Sequence, residues 1–294
     1  MHAPRRYSRP GHPRCRQTFG SPGQTGSIGR GQIASARHRQ QDFMICAIVQ
    51  ARMGSSRLPG KTLIPIADKP LLFHILDRVR TSLLVQEIVV ATTNLPMDDA
   101  IEDCSRQYGV DVYRGSPTDV LDRYYCAARE CRAEVIVRVT ADDPFKDPHV
   151  MDEVIGAFLR SGTKLDYASN TIKPTYPLGL DIEVFRHSAL ERAWRESTDK
   201  FDREHVTPYL WMHPDRFQVL NVEYKEVLSW MRWTLDTKED LEFTERVYSE
   251  LYHGHPFFME DILALLRKNP QLHQMCDQRL RKVTTEVISF EGTV

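Results

Sequence analysis

The stretch that decides the fold runs from residue 47 to residue 61 and reads AIVQARMGSSRLPGK. Its first residues belong to a short apolar run, 45–50, which is typical of a buried strand. The run ends in a loop of small residues that also carries three cations, Arg52, Arg57 and Lys61. Ligands of open α/β sheets bind at the carboxyl ends of strands. The loop is therefore a candidate ligand site, although a solvated basic loop would have the same composition.

The small residues of this loop suit a phosphate group. Gly54, Ser55 and Ser56 allow close approach of the backbone and offer N–H and hydroxyl donors. The three cations would neutralise a polyanion such as a triphosphate. The loop is not a Walker P-loop, because five residues instead of four separate Gly54 from the Gly60–Lys61 pair, and Pro65 prevents the helix that should follow.

Outward from the loop, strands and helices alternate. The periodicity predicts strands over 45–50, 87–92, 111–113 and 135–139, and helices over 70–83, 98–108, 118–131 and 149–160. This order is typical of an α/β protein with a mainly parallel sheet covered on both faces, which gives three layers. After residue 165 the alternation weakens: strands are predicted over 180–185 and 217–222, and helices over 203–212 and 238–252. We therefore predict one domain, 44–275, with an elaborated second half.

Both ends of the chain differ from this domain in composition. Residues 1–43 contain eight arginines and one acidic residue, with many glycines and prolines, so we expect a disordered extension or a true start at Met44. An organelle transit peptide is the alternative. Residues 276–294 form a charged tail.

Composition excludes several classes of protein. The chain of 294 residues has a net charge of −1, and outside the basic extension acidic residues outnumber basic ones, which argues against a nucleic-acid partner. No apolar run approaches the length of a membrane span. The six cysteines form no CxxC pair, and no signal sequence is evident, so we expect a cytoplasmic protein with reduced thiols.

The run AIVQARMGSSRLPGKTL resembles the signature loop of the sugar cytidylyltransferases, in particular their spore-coat polysaccharide branch, and the resemblance extends over most of 45–252. It implies a Rossmann-like nucleotide-binding fold of the nucleotide-diphospho-sugar transferase type and a dimer. It also implies transfer of CMP from CTP to a sugar, an acidic one in the typical members, with release of pyrophosphate. The resemblance further implies nucleotide contacts from Ala51, Gly54, Ser55, Ser56 and Thr140.

Two aspartates are candidate magnesium ligands. Asp142 lies at the end of the buried strand 135–139, where an unpaired carboxylate would be costly and where Mg²⁺ would accept one or two carboxylates. Helix capping is the alternative role there, and Asp147 fits that role better. Asp236 lies at a strand-to-helix junction beside a Thr237–Asp240 capping box. By itself Asp236 indicates a turn, and the resemblance implies that it is the second metal ligand.

Contacts to the sugar acceptor are predicted in the second half of the chain. Asp181 and Glu183 alternate onto one face of a predicted strand, and Arg203 and His205 lie on a predicted helix. Paired acids suit sugar hydroxyls or a metal, and a solvated strand face is the alternative. Arg203 with His205 would suit a sugar carboxylate, and a structural role is the alternative.

The strictness of base selection depends on Thr140. The resemblance places a glutamine at this position in typical cytidylyltransferases, and a threonine hydroxyl has a shorter reach and fewer hydrogen bonds. We therefore expect CTP as the preferred donor, with looser selection of the base than in typical cytidylyltransferases.

The rival function is a metal-dependent glycosyltransferase of similar fold that consumes a ready-made nucleotide sugar. Such an enzyme has less need of three cations to bind a triphosphate.

Overall fold

The computed structural model describes residues 43–275. The predictions for the basic extension before Phe43 and for the charged tail at 276–294 lie outside the described residues. Within them the strands are β1 (Ile45–Gln50), β2 (Pro65–Ile66), β3 (Lys69–Pro70), β4 (Glu87–Thr93), β5 (Asp111–Gly115), β6 (Val135–Thr140), β7 (Tyr167–Ser169), β8 (Glu183–Arg186) and β9 (Val219–Asn221).

The α-helices of the same range follow in chain order. They are α1 (Leu71–Thr81), α2 (Asp99–Tyr108), α3 (Val120–Glu130), α4 (Pro148–Arg160), α5 (His187–Glu196), α6 (Lys200–His205), α7 (Pro208–Trp211), α8 (Lys238–Leu251) and α9 (Met259–Lys268). The helices predicted in the first half of the chain are confirmed to within two residues at each end.

Seven of the strands form one sheet in the order β5-β4-β1-β6-β8-β7-β9. Strands β5, β4, β1 and β6 pair in parallel, which confirms the mainly parallel sheet. The elaborated second half adds antiparallel pairs, because β8 runs against both β6 and β7. The central strands β1 and β6 therefore end side by side, with Gln50 opposite Thr140.

Side-chain alternation along β1 divides the core into two layers. Ala47 and Val49 pack in the cluster that contains α1, α4, α8 and α9, whereas Cys46 and Ile48 pack in the cluster that contains α3 and α5. Helices thus cover both faces of the sheet, and the α/β three-layer prediction is confirmed. Within residues 43–275 no helix has the length and apolar character needed to cross a bilayer.

Three predicted elements of the second half were wrong in detail. The helix over 203–212 is two short helices, because Val206 takes a left-handed φ of 73° and Pro208 begins the next helix. The strand over 180–185 begins only at Glu183. The segment before Asp236 is irregular and pairs only at an isolated bridge between Leu178 and Arg232.

Candidate active site

A cavity of about 240 Å³ opens where β1 and β6 end. Nine of the site residues predicted from the sequence line this cavity, and Ala51 lies buried beside it. The lining residues are Gln50, Arg52, Gly54, Ser55, Ser56, Arg57, Lys61, Thr62, Thr140, Ala141, Asp142 and Asp236. Residues from three distant segments of the chain therefore meet at one edge of the sheet.

The signature loop is folded around the backbone of Met53. The Met53 carbonyl accepts hydrogen bonds from the amides of Ser55, at 3.0 Å, and Gly60, at 3.1 Å. The Met53 amide donates to the carboxylate of Asp98 at 2.7 Å, and Asp98 is fully buried and also accepts from the Thr93 hydroxyl. Gly60 has a φ of 73°, which glycine adopts without strain. Asp98 was not predicted from the sequence, because its role depends on packing across 45 residues.

Lys61 occupies the centre of the site. Its ammonium donates to Asp142 Oδ2 at 2.9 Å, to Asp236 Oδ1 at 2.8 Å and to the Leu235 carbonyl at 3.0 Å. These three acceptors match the three protons of an ammonium group. Burial opposes the charge, but attraction from Asp142 and the hydrogen bond to Asp236 outweigh it and raise the pKa of Lys61 above its ordinary value. Lys61 is thus a charged link between the two acids.

Asp236 is held in place by the start of α8. Thr237 caps this helix in a capping box with Asp240, which confirms the predicted cap. Asp240 also accepts a hydrogen bond from the Asp236 amide at 3.0 Å. Burial favours protonation of Asp236, but the hydrogen bond and charge of Lys61 prevail, helped by Arg57 and Arg232, and lower its pKa. Asp236 is therefore an ionised carboxylate.

The end of β6 separates the roles of two adjacent acids. Asp142 faces the cavity, and its carbonyl accepts from the Leu235 amide at 2.9 Å, which joins the two segments that carry the acids. Asp143 is buried against the Lys146 ammonium at 2.8 Å and the Thr140 hydroxyl at 2.5 Å. Burial raises the pKa of Asp143 to about 6, even though Lys146 opposes the shift. Asp147 caps α4, as predicted.

The donor set fits a hard divalent cation. Two carboxylates, from Asp142 and Asp236, converge on one point that the Lys61 ammonium occupies. Mg²⁺ prefers such oxygen donors and completes its coordination with phosphate oxygens and water. The described part of the chain has no cluster of three or more His, Cys, Asp or Glu side chains for a metal, so a cation here would depend on ligands from the substrate.

The charge of the cavity rim favours anions. Arg57 is 56% exposed and lies 3.2 Å from Asp236 Oδ2, and Arg232 pairs with the same carboxylate. Arg52 is exposed, and no side chain between residues 43 and 275 pairs with its guanidinium. With Lys61, four cations surround two carboxylates, and this surplus suits the phosphates of a nucleotide.

A second cavity of about 280 Å³ contains two of the four residues predicted to contact the acceptor, Glu183 and His205. Its other lining residues are Arg138, Thr171, Ile172, Phe201, Thr207, Pro208 and Trp211. Arg138 precedes Thr140 by two residues on β6, so the two side chains share a face of the sheet. The second cavity is therefore on the same face of the sheet as Thr140, which lines the first.

The other two predicted acceptor residues lie elsewhere. Arg203 ties α6 to the start of α3 through Asp119, at 2.6 Å, and also donates to the Trp194 carbonyl. Asp181 lines neither cavity and precedes β8. Glu183 itself is buried, where it pairs with Arg138 and accepts hydrogen bonds from Tyr167 and Thr207.

Sequence reasoning also missed cavity residues. Gln50, Thr62 and Ala141 line the first cavity, and Arg232 supports Asp236. Gln50 could have been found from strand alternation, since it follows Cys46 and Ile48 on one face of β1. Arg232 could not, because its pairing with Asp236 depends on the irregular path of the chain before α8.

Comparisons with known proteins agree with this geometry. Residues 46–268 match the model of a protein family described as Cytidylyltransferase. The spore coat polysaccharide biosynthesis protein SpsF of Bacillus subtilis is 35% identical over 233 residues, which cover 77% of this chain and 95% of SpsF. An uncharacterized protein of Methanocaldococcus jannaschii is 37% identical over 248 residues, which cover 83% of this chain and 98% of that protein. The solved structure of a cytidylyltransferase from Leptospira borgpetersenii is 33% identical in sequence and superposes with a TM-score of 0.75. The match covers 78% of this chain and 96% of that one.

Proposed function

Since this chain belongs to the cytidylyltransferase family, we propose that it transfers CMP from CTP to a hydroxyl of a sugar and releases pyrophosphate. The family match confirms the resemblance seen in the signature loop. The observation that carries the proposal is the position of Lys61 between Asp142 and Asp236, inside a cavity rimmed by further cations. The activated sugar would serve the synthesis of a surface or spore polysaccharide.

The cations of the loop would bind the triphosphate. Arg52 and Arg57 are exposed at the rim and can reach a ligand without breaking a buried contact. A Cβ at Gly54 would meet no atom within 4 Å, so the backbone there is open to a phosphate. Negative charge develops on the departing pyrophosphate during the reaction, and fixed cations stabilise it. In this proposal the loop both binds CTP and assists the leaving group.

Asp142 and Asp236 would hold Mg²⁺ together with phosphate oxygens. The cation, when bound, would neutralise the charge of the phosphates. For both carboxylates to contact it, the ammonium of Lys61 would move from the point between them to the phosphates. Lys61 would thereby keep the two acids ordered before the nucleotide binds and contribute a charge afterwards.

Direct attack of the sugar oxygen on the α-phosphorus is the simplest route. Neither histidine nor cysteine lines the first cavity, so its serine and threonine hydroxyls have no imidazole base there to activate them as nucleophiles. The protein would then contribute mainly positioning and charge stabilisation. The bond from the sugar oxygen to phosphorus would form as the bond to the bridging pyrophosphate oxygen breaks, and the proton of the sugar hydroxyl would pass to water.

The second cavity would hold the sugar. Glu183 and His205 offer polar contacts, and Ile172, Phe201 and Trp211 form an apolar wall against which a sugar ring can pack. The Arg138 charge is already balanced by Glu183, so this ion pair leaves no surplus positive charge that would select an acidic sugar. Both acidic and neutral sugars therefore belong in the test.

The test is release of pyrophosphate from CTP in the presence of Mg²⁺ and a panel of candidate sugars. We expect stoichiometric pyrophosphate and a CMP-sugar with at least one sugar, and no pyrophosphate without a sugar. The glycosyltransferase alternative predicts the reverse, which is consumption of a nucleotide sugar without release of pyrophosphate.

The family resemblance also leads us to propose a homodimer. Light scattering of the purified protein tests this oligomeric state.

A further inference from the structure

Two cysteines meet at the end of β1 that lies opposite the first cavity. Cys46 is the second residue of β1, and Cys131 directly follows α3. Both are free thiols, and the Cys131 thiol donates a hydrogen bond to the Cys46 sulfur, with the two sulfur atoms 3.0 Å apart. A disulfide bond is about 2.05 Å long, so an approach of about 1 Å would join the two residues.

The surrounding backbone holds the two thiols together. Cys46 lies on a central strand that is paired with β4 on one side and with β6 on the other. The short connection from α3 to β6 is tied to the chain before β1, because the amides of Glu134 and Val135 donate to the Met44 carbonyl at 2.9 and 3.2 Å. The contact between the thiols is therefore part of the fixed frame of the sheet.

The two thiols differ in exposure and in acidity. Cys46 is fully buried, whereas Cys131 is partly exposed, and the two residues that follow it, Arg132 and Ala133, line a cavity of about 490 Å³. Once Cys131 ionises, Cys46 donates the hydrogen bond instead, which lowers the pKa of Cys131 although burial opposes the shift. The same hydrogen bond and burial raise the pKa of Cys46. Because the thiolate is the nucleophile, Cys131 is the thiol that reacts first with an oxidant.

We propose that Cys131 is a peroxide-reactive cysteine and that Cys46 resolves its oxidised form into a reversible disulfide. In the first step the Cys131 thiolate attacks one oxygen of hydrogen peroxide, the O–O bond breaks, and the departing hydroxide takes up a proton to become water. Cys131 is thereby oxidised to a sulfenic acid. In the second step the Cys46 sulfur attacks the sulfenic sulfur, and the hydroxyl group leaves as water with the Cys46 proton. The two thiols lose two electrons, and the peroxide gains them.

The buried partner would protect the exposed one. A sulfenic acid that finds no thiol is oxidised further to a sulfinic acid, which ordinary thiol reductants do not reverse. The disulfide to Cys46 would stop the oxidation at a stage that a thiol reductant reverses. Reversible disulfides of this kind also occur in proteins whose thiols are normally reduced. The inference does not rest on the proposed transfer reaction, because neither thiol lines the first cavity.

The test treats the reduced, full-length protein with hydrogen peroxide, blocks the remaining thiols by alkylation and maps tryptic peptides by mass spectrometry. Trypsin separates the relevant cysteines, since Cys46 falls in peptide 40–52, Cys126 in 124–129 and Cys131 in 130–132. We expect peptides 40–52 and 130–132 in one linked species, lighter by two hydrogen atoms than their sum. Dithiothreitol should abolish this species and restore both thiols.

Three variants assign the roles of the thiols. In Cys46→Ala, dimedone should label Cys131 as the sulfenic acid, and prolonged treatment should give a sulfinic acid that dithiothreitol does not reverse. In Cys131→Ala, no linked species should form, and the buried Cys46 should stay unoxidised. Cys126→Ala is the matched control and should form the same linked species as the wild type. Cys126 is also partly exposed on α3, but its thiol points to Asp122 at 4.0 Å.

Three results would overturn the proposal. The first is a link from peptide 40–52 to 124–129 in place of 130–132, and the second is a link that forms only in urea. The third is a wild type in which Cys131 reaches the sulfinic acid as fast as in Cys46→Ala. If Cys46→Ala does not fold, the link in the wild type and its absence in Cys131→Ala decide. These readouts are covalent, so failure of the proposed reaction would appear separately, as absent pyrophosphate release.

Discussion

The ammonium nitrogen of Lys61 lies 2.8 Å from a carboxylate oxygen of Asp236, which follows it by 175 residues. This contact joins the signature loop to the start of α8. Asp142, which follows β6, accepts a hydrogen bond from the same ammonium group on its other side. The arrangement gives the site a fixed set of opposite charges before any nucleotide binds. Its consequences can be tested at each of the three residues.

The first prediction concerns the two aspartates. Asp142→Asn and Asp236→Asn should each lower kcat by at least about 10²-fold, since a carboxamide keeps the shape of the side chain but loses the charge that Mg²⁺ requires. The fold should persist, because each amide can still accept a hydrogen bond from Lys61. Steady-state pyrophosphate release over a range of Mg²⁺ concentrations measures the effect, and Asp215→Asn, at an exposed acid outside the cavity, is the control. Normal turnover of either variant at limiting Mg²⁺ would contradict the two-aspartate site.

The second prediction concerns Lys61. Lys61→Ala should lower kcat by roughly 10²–10³-fold, the usual cost of one charge-stabilising donor. It should also destabilise the fold by about 1–3 kcal/mol, because Asp142 and Asp236 lose their shared partner. Kinetics together with thermal melting separate the two effects, and Lys61→Arg should recover part of the stability.

Lys69→Ala is the matched control for this experiment, since it removes an ion pair to Asp77 at a distance from the cavity. Equal losses of activity in the two alanine variants would mean that the position of Lys61 between the acids has no special importance.

Much of this site could be predicted from local sequence. The buried strand, the small residues and the cations lie within 17 residues of each other, and the Thr237–Asp240 cap is a contact within one turn. Local patterns could not show that Lys61 turns inward to the acids, because the distance between Asp142 and Asp236 is set by tertiary packing. The break at Val206 was missed for a related reason, since a left-handed valine is held there by its surroundings and not by its own preference.

The third prediction concerns Asp98, which anchors the signature loop. Asp98→Asn should weaken the contact to the Met53 amide and raise the dissociation constant for CTP about tenfold, because the loop loses part of its preorganised shape. Calorimetric titration with CTP measures this constant. The adjacent Asp99→Asn is a control, since Asp99 is exposed and pairs with Arg114 outside the loop. A dissociation constant for CTP that is the same in both variants would show that the loop keeps its shape without Asp98.

The fourth prediction concerns pH and His74. This imidazole is buried between Tyr248 and Tyr252, and its Nε2 lies 2.7 Å from the Ile66 carbonyl oxygen. Burial lowers the pKa of His74 to about 4, from 6.5. The unfolded chain therefore binds the proton more readily, so the stabilising contribution is complete above pH 6.5 and is lost progressively as the pH falls towards 4.

The dependence should have a slope of at most about 1.4 kcal/mol per pH unit within that window. Urea denaturation of the wild type and of His74→Gln, at several pH values, isolates this one group from the others. The difference between the two free energies of unfolding should change across the window. Curves that stay parallel would show that His74 does not carry the dependence.

The last prediction separates residues that bind the sugar from residues that only support the fold. Phe201 is half exposed and packs against His205, and both line the second cavity, whereas Arg203 between them in sequence points to Asp119. Phe201→Ala and His205→Ala should therefore raise KM for the sugar about tenfold without changing KM for CTP. Arg203→Ala should leave both constants near their wild-type values and lower Tm by about 3 °C or more, because Asp119 loses its partner. The three variants lie within five residues of one another, so they share the same local helix and differ mainly in what each side chain contacts. If Arg203→Ala alone raised KM for the sugar, the acceptor would bind on the α3 side of α6, and the second cavity would lose its assignment.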